Sequence, residues 1–114
     1  NLTELPQQEI DYLKQVPSTW DETRFIDGYP GKYAVIARRH GSQWYVAALN
    51  GTDKPLQLNL SLPMLAGKNV NFYYDTADKK SLWPKSTVKN IKVGKDGKFK
   101  IMMQPMGGSI INSL

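Results

Sequence analysis

The chain has no cysteine and only one histidine, His40, among its 114 residues. The first absence excludes disulfides and thiolate metal sites, and leaves cytoplasm, periplasm and exterior all open as compartments. The second leaves His40 with no second imidazole or thiol to share a metal, and catalytic bases need a positioned partner. Standing between Arg39 and Gly41 in a hairpin turn, it reads as an exposed turn residue. Long apolar runs are missing too: none approaches the ~20 residues of a membrane helix, so no membrane span is expected. The opening NLTELPQQEIDYLKQ has neither the basic start nor the apolar centre of a signal peptide. It begins with Asn rather than Met, and the expectation is a piece cut from a longer polypeptide.

What is present describes an ordinary globular domain. Hydrophobic residues make up 40% and charged residues 22%, within the range of folded chains rather than disordered ones, and the length suits one core. The net charge of +5 is unevenly spread. Glu4, Glu9, Asp11, Asp21, Glu22 and Asp27 load the beginning, and the lysines gather between Lys79 and Lys100. A basic half can signal nucleic acid. Here Lys89, Lys92, Lys95, Lys98 and Lys100 alternate with Val88, Ile91, Val93, Phe99 and Ile101, the spacing of solvent-facing strand positions, where lysine also blocks unwanted pairing. A solvated face is preferred to a nucleic-acid site.

The stretch GKYAVIARRHGSQWYVAALN, residues 31–50, organises the rest. Tyr33 to Ala37 and Trp44 to Leu49 are two β-favouring runs around the break Arg39-His40-Gly41-Ser42, and predict a hairpin. Neither run alternates cleanly, so both faces are expected to be covered over much of the length. Before it, Pro6 at a first helical position and Ile10, Leu13 and Val16 spaced by three predict a short amphipathic helix over Leu5 to Val16, ended by Pro17. Such a helix is marginal alone, so Ile10 and Leu13, with Trp20 in the connector behind them, are candidate contacts to a neighbouring domain. Further strands are expected at Thr23 to Asp27, Leu56 to Leu62, Val70 to Tyr74, Thr87 to Val93, Lys98 to Met103 and Ser109 to Asn112. Asp96-Gly97 suits a tight hairpin turn, and Asp75 to Ser86 is the longest loop. Eight short strands predict an all-β chain, an antiparallel β-sandwich with a short N-terminal helical lead.

No constellation of nucleophile, acid and base emerges, so no catalytic residue is assigned and no metal or cofactor site is expected. Asp21 and Glu22 are adjacent, whereas the paired acids of glycosidases stand roughly 5–9 Å apart across a scissile bond; capping of local backbone or a contact to a neighbouring domain suits them better. Aromatics with a polar handle can stack on sugar rings. Core packing claims most of those here, but Tyr73 and Trp83 lie outside the clean inward register and are the candidates for a sugar platform. Asn50-Gly51-Thr52 fits the glycosylation acceptor pattern, a weak three-residue signal.

The set Trp20-Asp21-Glu22-Thr23, Gly31, Tyr33, Ala37-Arg38-Arg39, Gly41 and Trp44-Tyr45-Val46, with Tyr73-Tyr74-Asp75 and the closing Pro105-Met106-Gly107-Gly108, resembles the C-terminal domain of glycoside hydrolase family 97. These bacterial enzymes include α-glucosidases and α-galactosidases. The resemblance implies a non-catalytic β-sandwich, because the family's catalytic carboxylates and calcium site lie in a central (β/α)8 barrel. It implies that residues 1–20 are a helical lead and connector from the end of that barrel, and that 21–114 form the sandwich. The expected partner is the barrel of the same parent chain, which the domain packs on and stabilises. A carbohydrate-binding module taking oligosaccharide is the alternative. A periplasmic or extracellular location in a bacterium also follows from the resemblance.

Overall fold

The computed structural model describes residues 16–76 and 85–114. The expected helix, with Ile10 and Leu13, lies outside the described residues, and so does Trp83. Eight strands follow in chain order: β1 (Glu22–Tyr29), β2 (Tyr33–His40), β3 (Gln43–Asn50), β4 (Leu56–Ser61), β5 (Asn69–Thr76), β6 (Lys85–Lys92), β7 (Lys98–Met103) and β8 (Gly108–Ser113). They form two antiparallel sheets, a large one ordered β1-β2-β3-β8-β5-β6 and a small one pairing β4 with β7. The antiparallel sandwich of eight strands is thus observed.

Local chemistry sets the turns. Between β1 and β2, Pro30 fixes one central residue and Gly31, at φ +75°, supplies the positive φ that a type II turn needs at the next. Lys32 N–H closes that turn on the Tyr29 carbonyl at 2.9 Å. The central hairpin has a two-residue loop, Gly41-Ser42, between the paired His40 and Gln43. Only Gly41 of the two has positive φ, at +61°, the II′ pattern that matches strand twist.

The core lies between the sheets. Val35, Ala37, Trp44, Val46, Ala48, Val70 and Ile111 of the large sheet meet Leu58, Leu60, Phe99, Ile101 and Met103 of the small one, with Leu62, Leu65 and Val93 closing one end. Leu56 to Ser61 alternates inward leucines with exposed Gln57, Asn59 and Ser61, as its period-2 pattern requires. Lys89, Lys92, Lys95, Lys98 and Lys100 are all exposed, the solvated-face arrangement their spacing predicts.

Two expectations are corrected. The hairpin is fully covered on one face, where Val35, Ala37, Val46 and Ala48 are buried, and only in part on the other, where Tyr45 is buried and Ala34 and Ile36 are half-buried but Ala47 and Leu49 are exposed. Its apolar outer residues reflect something other than a second core. Nor do the strands flanking Asp96-Gly97 form a hairpin, since β6 pairs with β5 and β7 with β4. The turn carries the chain from one sheet to the other. Gly97, at φ +77°, donates to the Gly94 carbonyl, and its own carbonyl receives Leu62 N–H at 2.7 Å, so the arch is tied to the end of β4.

Candidate interaction surface

Because directly paired residues share a face, the registers define what the large sheet shows to the outside. One cross-strand row reads Phe25, Ile36, Ala47, Ile110, Tyr73 and Val88, one residue from each of the six strands, and every member is apolar or aromatic. On one side of it runs a more polar row, Thr23, Arg38, Tyr45, Asn112, Asn71 and Asn90. On the other side Gly28, Ala34, Leu49 and Gly108 continue the apolar surface. The face is therefore apolar along its middle row, polar toward one margin, and interrupted on the other by Asp75, which shares the face of Tyr73 and accepts from Gly108 N–H.

The connector comes down on that polar margin. Trp20 packs edge-on against Tyr45 with ring centroids 5.3 Å apart, and the Arg38 guanidinium lies 5.8 Å from the Trp20 ring centroid. Three hydrogen bonds hold the connector there: Asp21 N–H to the Arg39 carbonyl at 2.8 Å, Gly41 N–H to Asp21 Oδ2 at 2.7 Å, and His40 Nδ1 with the Thr19 carbonyl at 2.9 Å. The last requires the tautomer with a proton on Nδ1. Glu22 joins Arg24 and Arg39 in an ion pair. Hydrogen bonds from the Arg24 and Arg39 side chains hold its carboxyl below the usual range against the opposing effect of burial. Asp21 therefore caps the hairpin turn, one of the two roles expected of the acidic pair, while Glu22 is held by arginine side chains and caps no backbone group among the described residues. Asn112 Oδ1, on the same margin in a residue 8% exposed, has no donor among the described residues.

The opposite corner is bare. Phe25 is 71% and Leu49 65% exposed. A β-bulge between Phe25 and Asp27 shifts the register of β1, so that Phe25 and Gly28, three apart, both point outward, opposite Ile36 and Ala34. The Phe25 ring rests on Gly28: a Cβ there would stand 3.1 Å from Phe25 Cε2 and Cζ. Phe25, Gly28, Ala34 and Leu49, with Tyr29, Pro30 and the exposed Lys32 of the adjoining turn, line a shallow open groove of about 410 Å³.

The remaining candidates fall as follows. Tyr73 is in the middle of the apolar row, so the outward register expected of it is observed, while its proposed companion Trp83 is outside the described residues. Asn50 of the glycosylation pattern is 2% exposed. Its amide nitrogen donates to the carbonyls of Lys54 and Gln104, and its oxygen accepts from Thr52 N–H and Oγ1. This side chain organises the β3–β4 loop and is closed to modification in the folded chain. Phe25 and Leu49 were not singled out by sequence; the signal for Leu49 was the unexplained apolar outer face of the hairpin, and for Phe25 there was none, because a bulge leaves no mark in an apolar-polar pattern. Among the described residues no three His, Cys, Asp or Glu side chains cluster to hold a metal, and no helix is long and apolar enough to cross a membrane.

Comparison with known proteins gives the family of this sandwich. Residues 19–113 match the family described as glycosyl-hydrolase 97 C-terminal, oligomerisation. The chain belongs to the glycosyl-hydrolase 97 C-terminal family. It is 26% identical over 98 residues to a retaining alpha-galactosidase of Bacteroides thetaiotaomicron, a match covering 85% of this chain and 15% of that protein. A probable retaining alpha-galactosidase of Streptomyces bingchenggensis is 38% identical over 52 residues, 41% of this chain and 8% of its own length. Among solved structures, a beta-arabinopyranosidase matches 98% of this chain and 17% of its own, with 47% identity and a TM-score of 0.87. An arabinofuranosidase matches in fold, with a TM-score of 0.57 at 16% identity over 86% of this chain and 24% of its own. This glycosyl-hydrolase 97 C-terminal domain thus spans about a sixth of the first two full-length relatives it covers well.

Proposed function

We propose that the chain is the accessory domain of a larger glycosidase, packing on its catalytic (β/α)8 barrel and stabilising it, with residues 1–20 as the connector from the barrel and 21–114 as the sandwich. The observation that carries this reading is the seat of Trp20 on Tyr45. The chain ahead of β1 arrives on the outer face of the large sheet, so whatever precedes it in the parent polypeptide is delivered to that face. The unpaired acceptor Asn112 Oδ1 beside this seat is where such a neighbour would place a donor, since a buried acceptor left alone costs about 1–3 kcal/mol. Ile10 and Leu13 would extend the contact from the connector's side.

The parent's substrate class also follows as a proposal. An α-D-galactopyranoside and a β-L-arabinopyranoside share one ring configuration, the arabinoside lacking only the exocyclic CH2OH. Relatives named for these two sugars support a parent that cleaves galacto-configured glycosides with retention, the barrel supplying all of the chemistry.

Thermal unfolding of the parent enzyme tests the packing role. Deleting residues 21–114 should lower the barrel's midpoint, and Trp20→Ala in the intact enzyme should lower it in part, with oligosaccharide affinity unchanged. If titration calorimetry instead shows the 114-residue chain binding galactosides, and Tyr73→Ala abolishes that heat, a carbohydrate-binding module replaces this reading.

A further inference from the structure

We propose that the outward side of the small sheet is a binding site for an anionic polysaccharide, a chain of carboxylate-bearing sugars that lies along β7. Register sets the composition of this side. Ser61 pairs with Lys98, Asn59 with Lys100 and Gln57 with Met102, and all of them are exposed because the alternate residues turn into the core. Lys98 and Lys100 are two apart on one strand, so their stems leave it ~6.7 Å apart. A third cation comes from the large sheet. Lys89 pairs with Phe72, which packs against the core and meets Phe99 of β7 edge-on with ring centroids 5.3 Å apart. Sharing that face, Lys89 is on the small-sheet side next to β7, with its Nζ 5.6 Å from the Tyr74 ring centroid.

No acid answers these cations among the described residues. The ion pairs there join Arg24 and Arg39 to Asp21 and Glu22, beside the connector. Asp96, close in sequence, turns back to accept the Lys98 backbone N–H at 3.0 Å. A row of positive charge without an internal counterion attracts a polyanion, and what lies between the lysines decides its kind. Asn59, Leu60, Ser61, Lys98, Phe99 and Lys100 line an open hollow of about 490 Å³, within the size range of ligand sites. Its amide and hydroxyl suit sugar hydroxyls, as the ammonium groups suit carboxylates. The bases of a nucleic acid strand need aromatic faces to stack on, and the outward residues of β4 and β7 include none. Nor do they include arginine, the residue that grips phosphate with two donors at once. A lipid surface rewards apolar insertion as well as charge, and Met102 is the one apolar side chain that these strands turn outward. The small sheet covers the inner face of the large one, while Trp20 is seated on the outer face. Polysaccharide and parent enzyme can therefore be engaged at once, and the proposal does not depend on the packing role.

Affinity electrophoresis of the 114-residue chain, in gels with polygalacturonate, with neutral galactan or with no polymer, tests the site at low salt, where exposed charges are least screened. The polyuronate should retard the chain and the galactan should not. Lys98→Gln combined with Lys100→Gln should weaken binding about tenfold, the effect of two exposed ion pairs. Asn59→Ala, which changes no charge, should weaken it too. Lys32→Gln combined with Lys54→Gln removes the same two charges from the β1–β2 and β3–β4 connections, and should change binding by less than about twofold. Each variant is checked for an unchanged thermal midpoint, so that loss of folding is not read as loss of binding. Absence of retardation by polygalacturonate overturns the proposal. An equal loss in the two charge-matched pairs does so as well, because net charge alone is then responsible. Tighter binding to duplex DNA or to phosphatidylglycerol vesicles than to the polyuronate, lost with Lys98 and Lys100, overturns it in favour of a nucleic acid or a membrane. Binding abolished by Tyr73→Ala overturns it too, and places the polysaccharide on the large sheet.

Discussion

Two side chains separate what a residue costs from where it sits. Trp44 faces the small sheet at 7% exposure, with the Arg24 guanidinium 4.8 Å from its ring centroid. Removing it should cost about 3–5 kcal/mol, as for other large aromatics taken from a core, whereas Arg24→Ala removes a partly exposed cation and should cost under about 1 kcal/mol. Urea titration of the two variants reads the difference directly. Asn50 is as deeply buried but works by hydrogen bonding, with four bonds to Thr52, Lys54 and Gln104. Asn50→Ala takes one donor each from the Lys54 and Gln104 carbonyls, which keep Thr52 Oγ1 and Gly107 N–H, and strips Thr52 N–H of its acceptor, so the expected loss is about 1–3 kcal/mol. Asn50→Asp should be at least as damaging, because it removes both donors and sets a carboxylate oxygen against the carbonyls.

The latch between connector and hairpin is an element with a pH signature. The depressed carboxyl of Glu22, held by hydrogen bonds from Arg24 and Arg39 and by their charge, favours the folded state while it is ionised. Its contribution is complete above the ordinary carboxylate range and is lost as pH falls through the lowered folded value. Glu22→Gln should therefore be less stable than the parent chain at neutral pH and converge with it in acid, so that a plot of thermal midpoint against pH is flatter for the variant below about pH 5. Equal slopes would show that the ion pair contributes nothing in solution. The strands around this latch were legible in the sequence because periodicity encodes burial: Leu56 to Leu62 alternates, and β4 follows it. Pairing across sheets was not legible. Asp96-Gly97 has the chemistry of a hairpin turn, yet the flanking strands serve different sheets, since turn residues specify a local reversal and not the partner of the strand that follows. The outer face was half visible, for the apolar outward positions of β2 and β3 were plain but read as a second buried side. Only the register reveals that they line up with Phe25, Ile110, Tyr73 and Val88 in one outward-facing row.

At the scale of the whole molecule, charge and greasiness are segregated, and this makes salt a discriminating variable. Each copy carries a formal charge of +5, while the lining of the Phe25 corner is apolar apart from Lys32. Two copies brought together at that corner repel through their remaining lysines over distances comparable to the Debye length, about 10 Å at 0.1 M salt. Raising salt from about 0.05 M to about 0.5 M screens this repulsion and should tighten self-association, with apolar burial at the contact little affected. An interaction through the lysines would respond the other way: nucleic acid bound there would be released as salt rises, because each phosphate contact returns a counterion. Sedimentation of the chain alone across that salt range, beside fluorescence anisotropy of a labelled duplex DNA, separates the cases. Association that strengthens with salt and is lost in Leu49→Arg belongs to the apolar corner, and association that weakens with salt places the contact on charged groups and removes the corner from consideration.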